Sequence, residues 1–82
     1  MQEKAFINIL IAEDNQVSRE MMAKILSSRG FNILHAADGN EAIASIKENP
    51  VDLAIVDINM APMGGFEFVR YLVVNGYDIP VV

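Results

Sequence analysis

The chain has 82 residues, of which 52% are hydrophobic, and carries a net charge of −5 from six basic and eleven acidic side chains. This length allows one small domain with a core and excludes two. The absence of cysteine excludes disulfides and thiolate metal sites and fits a cytoplasmic protein. Without a Lys/Arg cluster, a signal-peptide pattern or an apolar run near ~20 residues, the chain is expected to bind neither nucleic acid nor membrane.

The first predicted element is a strand at residues 7–12, an apolar run rich in β-branched side chains that stops at Glu13, Asp14 and Asn15. Residues 16–28 then show the period of an amphipathic helix. Asn15 or Asp14 is the expected N-cap, and Gly30 the expected residue just past the end of the helix. Its apolar side chains are Val17, Met21, Met22, Ile25 and Leu26, and the polar face is predicted to hold Arg19, Glu20 and Lys24.

A second strand is predicted at residues 31–37 and is followed by a turn and a short helix at residues 41–48. We expect Asn40 to cap this helix. Pro50 prevents its continuation, because proline lacks the backbone donor and restricts the residue before it.

The third predicted strand, residues 51–57, is the stretch around which the chain is organised. It is a short apolar run between a proline and a glycine-rich loop, a pattern typical of a strand buried on both faces. It ends on Asp57. Ligands of open α/β sheets bind outside the carboxyl ends of the strands, so Asp57 is the first candidate for chemistry.

A third helix is predicted at about residues 66–74, and a fourth strand begins at residue 79. The core-facing side chains of this helix are predicted to be Phe66, Val69, Leu72 and Val73. Three further apolar residues of the helix lie outside that stripe and indicate either deeper burial or an interface. They are Phe68, Tyr71 and Val74.

Alternation of strands and helices predicts an α/β fold, a doubly wound parallel sheet with helices on both faces. If the first and third strands are neighbours, Glu13, Asp14 and Asp57 converge at the carboxyl edge. Three carboxylates in one crevice require a cation, and oxygen ligands without His or Cys favour Mg²⁺ over zinc. A carboxylate beside Mg²⁺ can also attack phosphorus and become an aspartyl phosphate.

Three separated motifs stand out along the chain: Ile9-Leu10-Ile11-Ala12-Glu13-Asp14-Asn15, Ala37-Asp38-Gly39-Asn40-Glu41-Ala42-Ile43, and Asp57 followed by Met60, Met63, Gly65 and Glu67. Together and in this order they closely resemble the receiver domain of two-component response regulators, and the resemblance covers essentially the whole chain. The first two motifs look most like receivers fused to hybrid histidine kinases.

The resemblance implies a flavodoxin-like fold with strand order 2-1-3-4. It implies that Asp57 is the phosphoacceptor, Asp14 a direct Mg²⁺ ligand and Glu13 an outer acid that reaches the metal through water. The backbone carbonyl of Asn59 would complete the site. The implied partner is a histidine kinase or phosphotransfer protein, and the chain would be a switch rather than an enzyme.

The chain departs from the family pattern at two places. Ala61 precedes Pro62 where the family has proline directly after Met60, and Gly64 replaces an Asp or Asn, so this loop is expected to be looser. The family's Ser/Thr and Lys on the fourth and fifth strands would lie beyond Val82. Residues 1–82 are therefore expected to be a receiver truncated after the fourth strand, slow to accept phosphate.

Two alternatives remain open. The chain could be a non-catalytic module, derived from a receiver, that self-associates or docks a partner. A homo-oligomer is expected, through edge pairing of residues 79–82 or packing of Phe68, Tyr71 and Val74, because an open strand edge invites pairing. A partly disordered monomer is the alternative to this assembly. A phosphatase of the haloacid dehalogenase type ranks last, since its paired Asp residues are absent from the first strand.

Overall fold

The computed structural model describes residues 6–60 and 63–82, and within them strands alternate with helices as predicted. The elements are β1 (Asn8–Ala12), α1 (Gln16–Ser27), β2 (Asn32–Ala36), α2 (Gly39–Glu48), β3 (Leu53–Val56) and α3 (Gly65–Val74). The predicted strands were one to three residues too long, because their ends lie in loops.

The sheet is parallel and three-stranded, in the order β2-β1-β3. The fourth strand was predicted correctly in place but not in extent. Residues 79–82 run beside β3 and form only an isolated parallel bridge between Ala54 and Val81. The Ala54 N–H donates to the Pro80 carbonyl (2.9 Å), and the Ala54 carbonyl accepts from Val82 N–H (2.9 Å).

The two faces of the sheet are covered unequally. Helices α2 and α3 cover one face, where Leu10 of β1 and Ala54 of β3 pack in a cluster with Phe68 and Leu72. Helix α1 covers the other face, where Ile9, Ile11 and Ala23 form a smaller cluster. β1 is therefore the fully buried strand. The prediction that β3 is buried on both faces is wrong, because only Ala54 of its four residues is fully buried.

The predicted apolar stripes of two helices are wrong in part, although Leu72 of α3 and Met22 and Leu26 of α1 do pack in the core. In α3, Phe66 and Val73 are more than 70% exposed, whereas Phe68, placed outside the core from sequence, is fully buried. In α1, the stripe at spacing four, which comprises Val17, Met21 and Ile25, is exposed; Ala23 faces the sheet, flanked by Met22 and Leu26.

The helix caps are close to those predicted. Asn15 caps α1, and its side chain accepts from Ser18 N–H at 2.9 Å. The cap of α2 is Asp38 rather than Asn40, because the Asp38 carboxylate accepts from Glu41 N–H at 2.8 Å and the helix starts two residues earlier than predicted. Gly30 has the expected positive φ of 94°, one position later than C′.

Candidate functional site: an acidic crevice at the carboxyl edge

The carboxyl ends of β1 and β3 bring three acids together. β1 and β3 pair in register, Ala12 beside Val56, so Glu13 and Asp57 are the next residues on two neighbouring strands. Asp57 N–H donates to the Ala12 carbonyl (3.0 Å), and this bond extends the ladder up to the site. One oxygen each of Glu13, Asp14 and Asp57 lies within 4.8 Å of the others.

The electrostatics of this cluster are those of two acids that compete for one proton. A hydrogen bond with Asp57 raises the pKa of Glu13 above its ordinary value, and burial and the charges of Asp57 and Asp14 raise it further. The same hydrogen bond lowers the pKa of Asp57, and the Asn59 N–H lowers it too. These opposite directions favour a proton on Glu13 beside an ionised Asp57, the arrangement expected of crowded carboxylates.

The Glu13 side chain also has an oxygen atom without a partner. Its Oε2 atom is buried and has no hydrogen-bond partner among the described residues. Buried carboxylate oxygens are normally satisfied, and an unpaired one is costly. The crevice therefore fits a cation, whose charge would satisfy this oxygen and replace the shared proton.

Asn59 lies where the sequence placed it, in the turn after Asp57. Its backbone N–H donates to Asp57 Oδ1 at 3.2 Å, so the turn folds back over the carboxylate. Ala61 and Pro62, on which part of the expectation of a looser loop rests, lie outside the described residues. Gly64, the other departure from the family pattern, is buried and caps α3; its N–H donates to Glu67 Oε1 at 3.2 Å.

Two glycines hold the loop after β3 close to its neighbours. A Cβ on Gly65 would lie 2.7 Å from the Asp57 carbonyl oxygen and from Ile58 Cα, so α3 starts directly against the backbone of the site. The Gly39 N–H donates to the Met63 carbonyl at 3.0 Å, and a Cβ on Gly39 would meet Met63 Cγ at 2.5 Å. The first turns of α2 and α3 thus fix both sides of this loop.

One neighbour of the site was missed from sequence. Arg19 of α1 was assigned to the polar outer face, yet it is half-buried and its Nη1 donates to the Glu13 carbonyl at 2.7 Å. Its position three and four residues before Met22 and Ala23 puts it on the sheet-facing stripe. That spacing was the available signal.

The chain is similar in sequence to known response regulators. The chain is 39% identical over 74 residues to the response regulator GtcR of Aneurinibacillus migulanus, an alignment that covers 90% of this chain and 30% of that protein. It spans about a third of the length of the first curated relatives it matches.

Two solved structures show the same fold. The response regulator TrrA of Thermotoga maritima, in complex with Mg²⁺-BeF, matches with a TM-score of 0.86 and 28% identity over 93% of this chain and 66% of that one. The receiver domain of the hybrid histidine kinase CckA matches with a TM-score of 0.83 and 34% identity over 90% of this chain and 70% of that one.

None of the helices in the described part of the chain has the length and hydropathy of a membrane span.

The family of the chain follows from a sequence match that covers most of its length. A family model described as "Response regulator receiver domain" matches residues 9–82, and the three acids of the crevice all lie inside that range. The chain belongs to the response regulator receiver domain family.

Proposed function

We propose that this chain is the phosphoacceptor of a two-component phosphorelay, and that Asp57 takes a phosphoryl group from a phosphohistidine of a histidine kinase or phosphotransfer protein. The observation that carries the proposal is the convergence of Glu13, Asp14 and Asp57 within 4.8 Å, at the carboxyl edge of a receiver-family sheet. The unit proposed to act is residues 1–82, and it acts as a switch in a signalling chain.

Three features support Mg²⁺ as the cation of this site. The candidate ligands are all oxygens, which suits a hard divalent ion. Glu13 Oε2 is buried without a partner, and the receiver TrrA was solved with Mg²⁺-BeF. Glu13, Asp14, Asp57 and the Asn59 backbone carbonyl would hold the ion, which when bound supplies positive charge to the phosphoryl oxygens.

The chemistry of Asp57 is a single substitution at phosphorus. A carboxylate oxygen forms the new P–O bond while the P–N bond of the phosphohistidine breaks, and the imidazole nitrogen keeps that electron pair. Asp57 attacks as its carboxylate, the form that its lowered pKa favours at neutral pH.

The proposal is tested with beryllium fluoride, which stands in for the phosphoryl group and does not require turnover. With Mg²⁺ present, we expect protein-bound fluorine resonances in a ¹⁹F NMR spectrum of the wild type, and none for Asp57→Asn. Intact-mass measurement with a small phosphodonor should then show slow addition of one phosphoryl group, absent in the same variant. Asp78→Asn, at an exposed carboxylate outside the site, is the matched control. Bound fluoride that survives Asp57→Asn would contradict the proposal.

We also propose that the chain self-associates, because a particular apolar surface favours it. Tyr71 is half-buried, and Val74 and Val82 are more than 70% exposed. Phe68, an expected member of this surface, is fully buried and cannot contribute. Phe66 and Val73 are exposed on the same helix instead.

Sedimentation over a concentration series tests this second proposal. We expect a dimer or larger assembly that dissociates on dilution and that Val74→Asp weakens, because a charge there would be buried in the contact. Lys47→Asp, at an exposed position on α2, is the control. A monomer at every concentration would contradict self-association and leave the phosphoacceptor proposal intact.

A further inference from the structure

Arg19 contacts the residues on both sides of Asp14. Its backbone N–H donates to the Asn15 carbonyl at 2.9 Å, as the first hydrogen bond of α1. Its side chain reaches back, and Nη1 donates to the Glu13 carbonyl at 2.7 Å. One residue of α1 therefore holds the carbonyl groups of the two residues that flank Asp14, Glu13 and Asn15.

This double attachment fixes the backbone of Asp14. The Glu13 carbonyl and the Asp14 N–H belong to one planar peptide unit, so an anchor on the carbonyl sets the orientation of the whole unit. The Glu13 N–H is held as well, because it donates to the Ala36 carbonyl of β2 at 3.0 Å. The Asp14 side chain is exposed and has no hydrogen bond to hold it among the described residues, so its direction depends on this backbone.

The burial of Arg19 carries a cost that a purely structural residue could avoid. Its Nε atom is buried and has no hydrogen-bond partner in the described part of the chain. An unpaired buried donor destabilises the fold, and an apolar side chain would fill the same space without that penalty. Each of the other described Lys and Arg side chains is exposed, so this half-buried guanidinium is an exception. Residues that break such local rules are expected at functional sites.

We infer that Arg19 is a positioning residue of the acidic crevice, which orients the Glu13 to Asp14 peptide and so presents Asp14 to the cation. The inference rests on the proposed function, since it assigns a role in the Mg²⁺ site. Arg19 touches neither the cation nor the phosphoryl group in this scheme. It acts through the Glu13 carbonyl, as groups behind metal ligands commonly do.

The test measures Mg²⁺ affinity and backbone geometry in the same samples. Wild type, Arg19→Gln, Arg19→Lys and the exposed control Arg29→Gln are labelled with ¹³C and ¹⁵N and titrated with Mg²⁺ by NMR. In the metal-free spectra, Arg19→Gln should move the Glu13 carbonyl carbon and the Asp14 amide nitrogen, because the bond to that carbonyl is lost. It should also weaken Mg²⁺ binding about tenfold.

The two other variants separate position from charge. Arg29→Gln removes the same charge from an exposed site and should leave Mg²⁺ affinity within about twofold of the wild type, since solvent screens it. Arg19→Lys keeps the charge. Its Mg²⁺ affinity should approach that of the wild type only to the extent that its Glu13 carbonyl carbon returns to the wild-type chemical shift. If Arg19→Gln does not fold, the lysine variant carries the comparison alone.

Three outcomes would overturn the inference. Equal Mg²⁺ affinity in the wild type and the folded Arg19 variants would overturn it and leave the proposed function standing. Equal weakening in Arg19→Gln and Arg29→Gln would assign the effect to net charge. A wild type that binds no Mg²⁺ would overturn the proposed function, and this inference with it.

Discussion

The sheet has a cluster of polar side chains at each end, and the two clusters differ in how well they are satisfied. At the amino end, Asn8 is buried and all four of its polar groups have partners. Its backbone N–H and C=O bond to Asp52 (2.8 and 2.9 Å), its Nδ2 donates to the Pro50 carbonyl (2.7 Å), and its Oδ1 accepts from Asn32 Nδ2 (2.8 Å). This cluster joins all three strands where they begin.

In the cluster at the carboxyl end, some polar groups have no hydrogen-bond partner among the described residues. Glu13 and Asp57 compete for one proton, Glu13 Oε2 is buried without a partner, and so is Arg19 Nε. The amino-end cluster has one carboxylate among side-chain amides, whereas the carboxyl-end cluster brings three carboxylates together. The number of unsatisfied groups differs as well, and it marks the end of the sheet where binding is expected.

The largest expected effect comes from breaking the amino end. Asn8→Leu removes both side-chain hydrogen bonds of this residue and should lower the free energy of unfolding by roughly 2 kcal/mol, about 1 kcal/mol for each bond. Urea unfolding followed by circular dichroism measures the loss. Mg²⁺ affinity at the other end of the sheet should not change, which NMR titration checks.

Asn75→Ala is the control for this variant. Asn75 Nδ2 also donates to a backbone carbonyl, that of Tyr71 at 2.9 Å, but at an exposed helix end. We expect it to cost less than about 1 kcal/mol, because water replaces the bond. If Asn8→Leu were no more damaging than Asn75→Ala, the amino cluster would not be the structural one, and the comparison would fail.

The next largest effect tests the carboxyl end. If Glu13, Asp14 and Asp57 lack a cation, Mg²⁺ at ten times its dissociation constant should raise the free energy of unfolding by about 1.4 kcal/mol. Asp14→Asn should abolish this gain, and Asp78→Asn, at an exposed residue, should keep it. Equal unfolding midpoints for the wild type with Mg²⁺ and with a chelator would contradict a binding site in this crevice.

The convergence of the acids could be predicted from sequence because it depends on strand order. Glu13 and Asp57 each follow an apolar run, and parallel strands put such residues at one edge. The positions of β1, α1 and the first cap followed from patterns confined to a few neighbouring residues. These parts of the fold need no knowledge of distant contacts.

The rotation of α3 could not be predicted in the same way. This helix is apolar nearly all round, so its periodicity does not select between Phe66 and Phe68. The rotation of α3 is set instead by a contact outside the helix. Gly65 lies against the backbone of Asp57 and Ile58, and residues three and seven positions further along the helix, Phe68 and Leu72, then face the sheet.

Helix α1 presents the same ambiguity on the other face of the sheet. Two stripes at helical spacing compete, and the one that contains Met21 and Ile25 is the more apolar of the two. The stripe with Ala23 faces the sheet, because the small side chain allows the helix to approach β1 closely. The same rotation buries Arg19. Sequence reasoning took the other stripe as the core face and therefore assigned Arg19 to the surface.

The smallest expected effect concerns the shared proton and would sharpen the comparison. Glu13→Gln supplies an N–H to Asp57 in place of the proton, so without metal it should stabilise the fold near neutral pH, by less than about 1 kcal/mol because the crevice is open to solvent. The lowered pKa of Asp57 acts in the opposite sense, but only at lower pH. Above the ordinary pKa of both acids, the raised pKa of Glu13 means that the folded wild type binds more protons than the unfolded chain, so its stability falls as pH rises through that pKa. The advantage of the variant should therefore appear above this pH and disappear below it. Urea midpoints of the wild type, Glu13→Gln and the exposed control Glu48→Gln between pH 4 and 8 measure this, and an advantage of Glu13→Gln that does not change with pH would mean that no proton is shared.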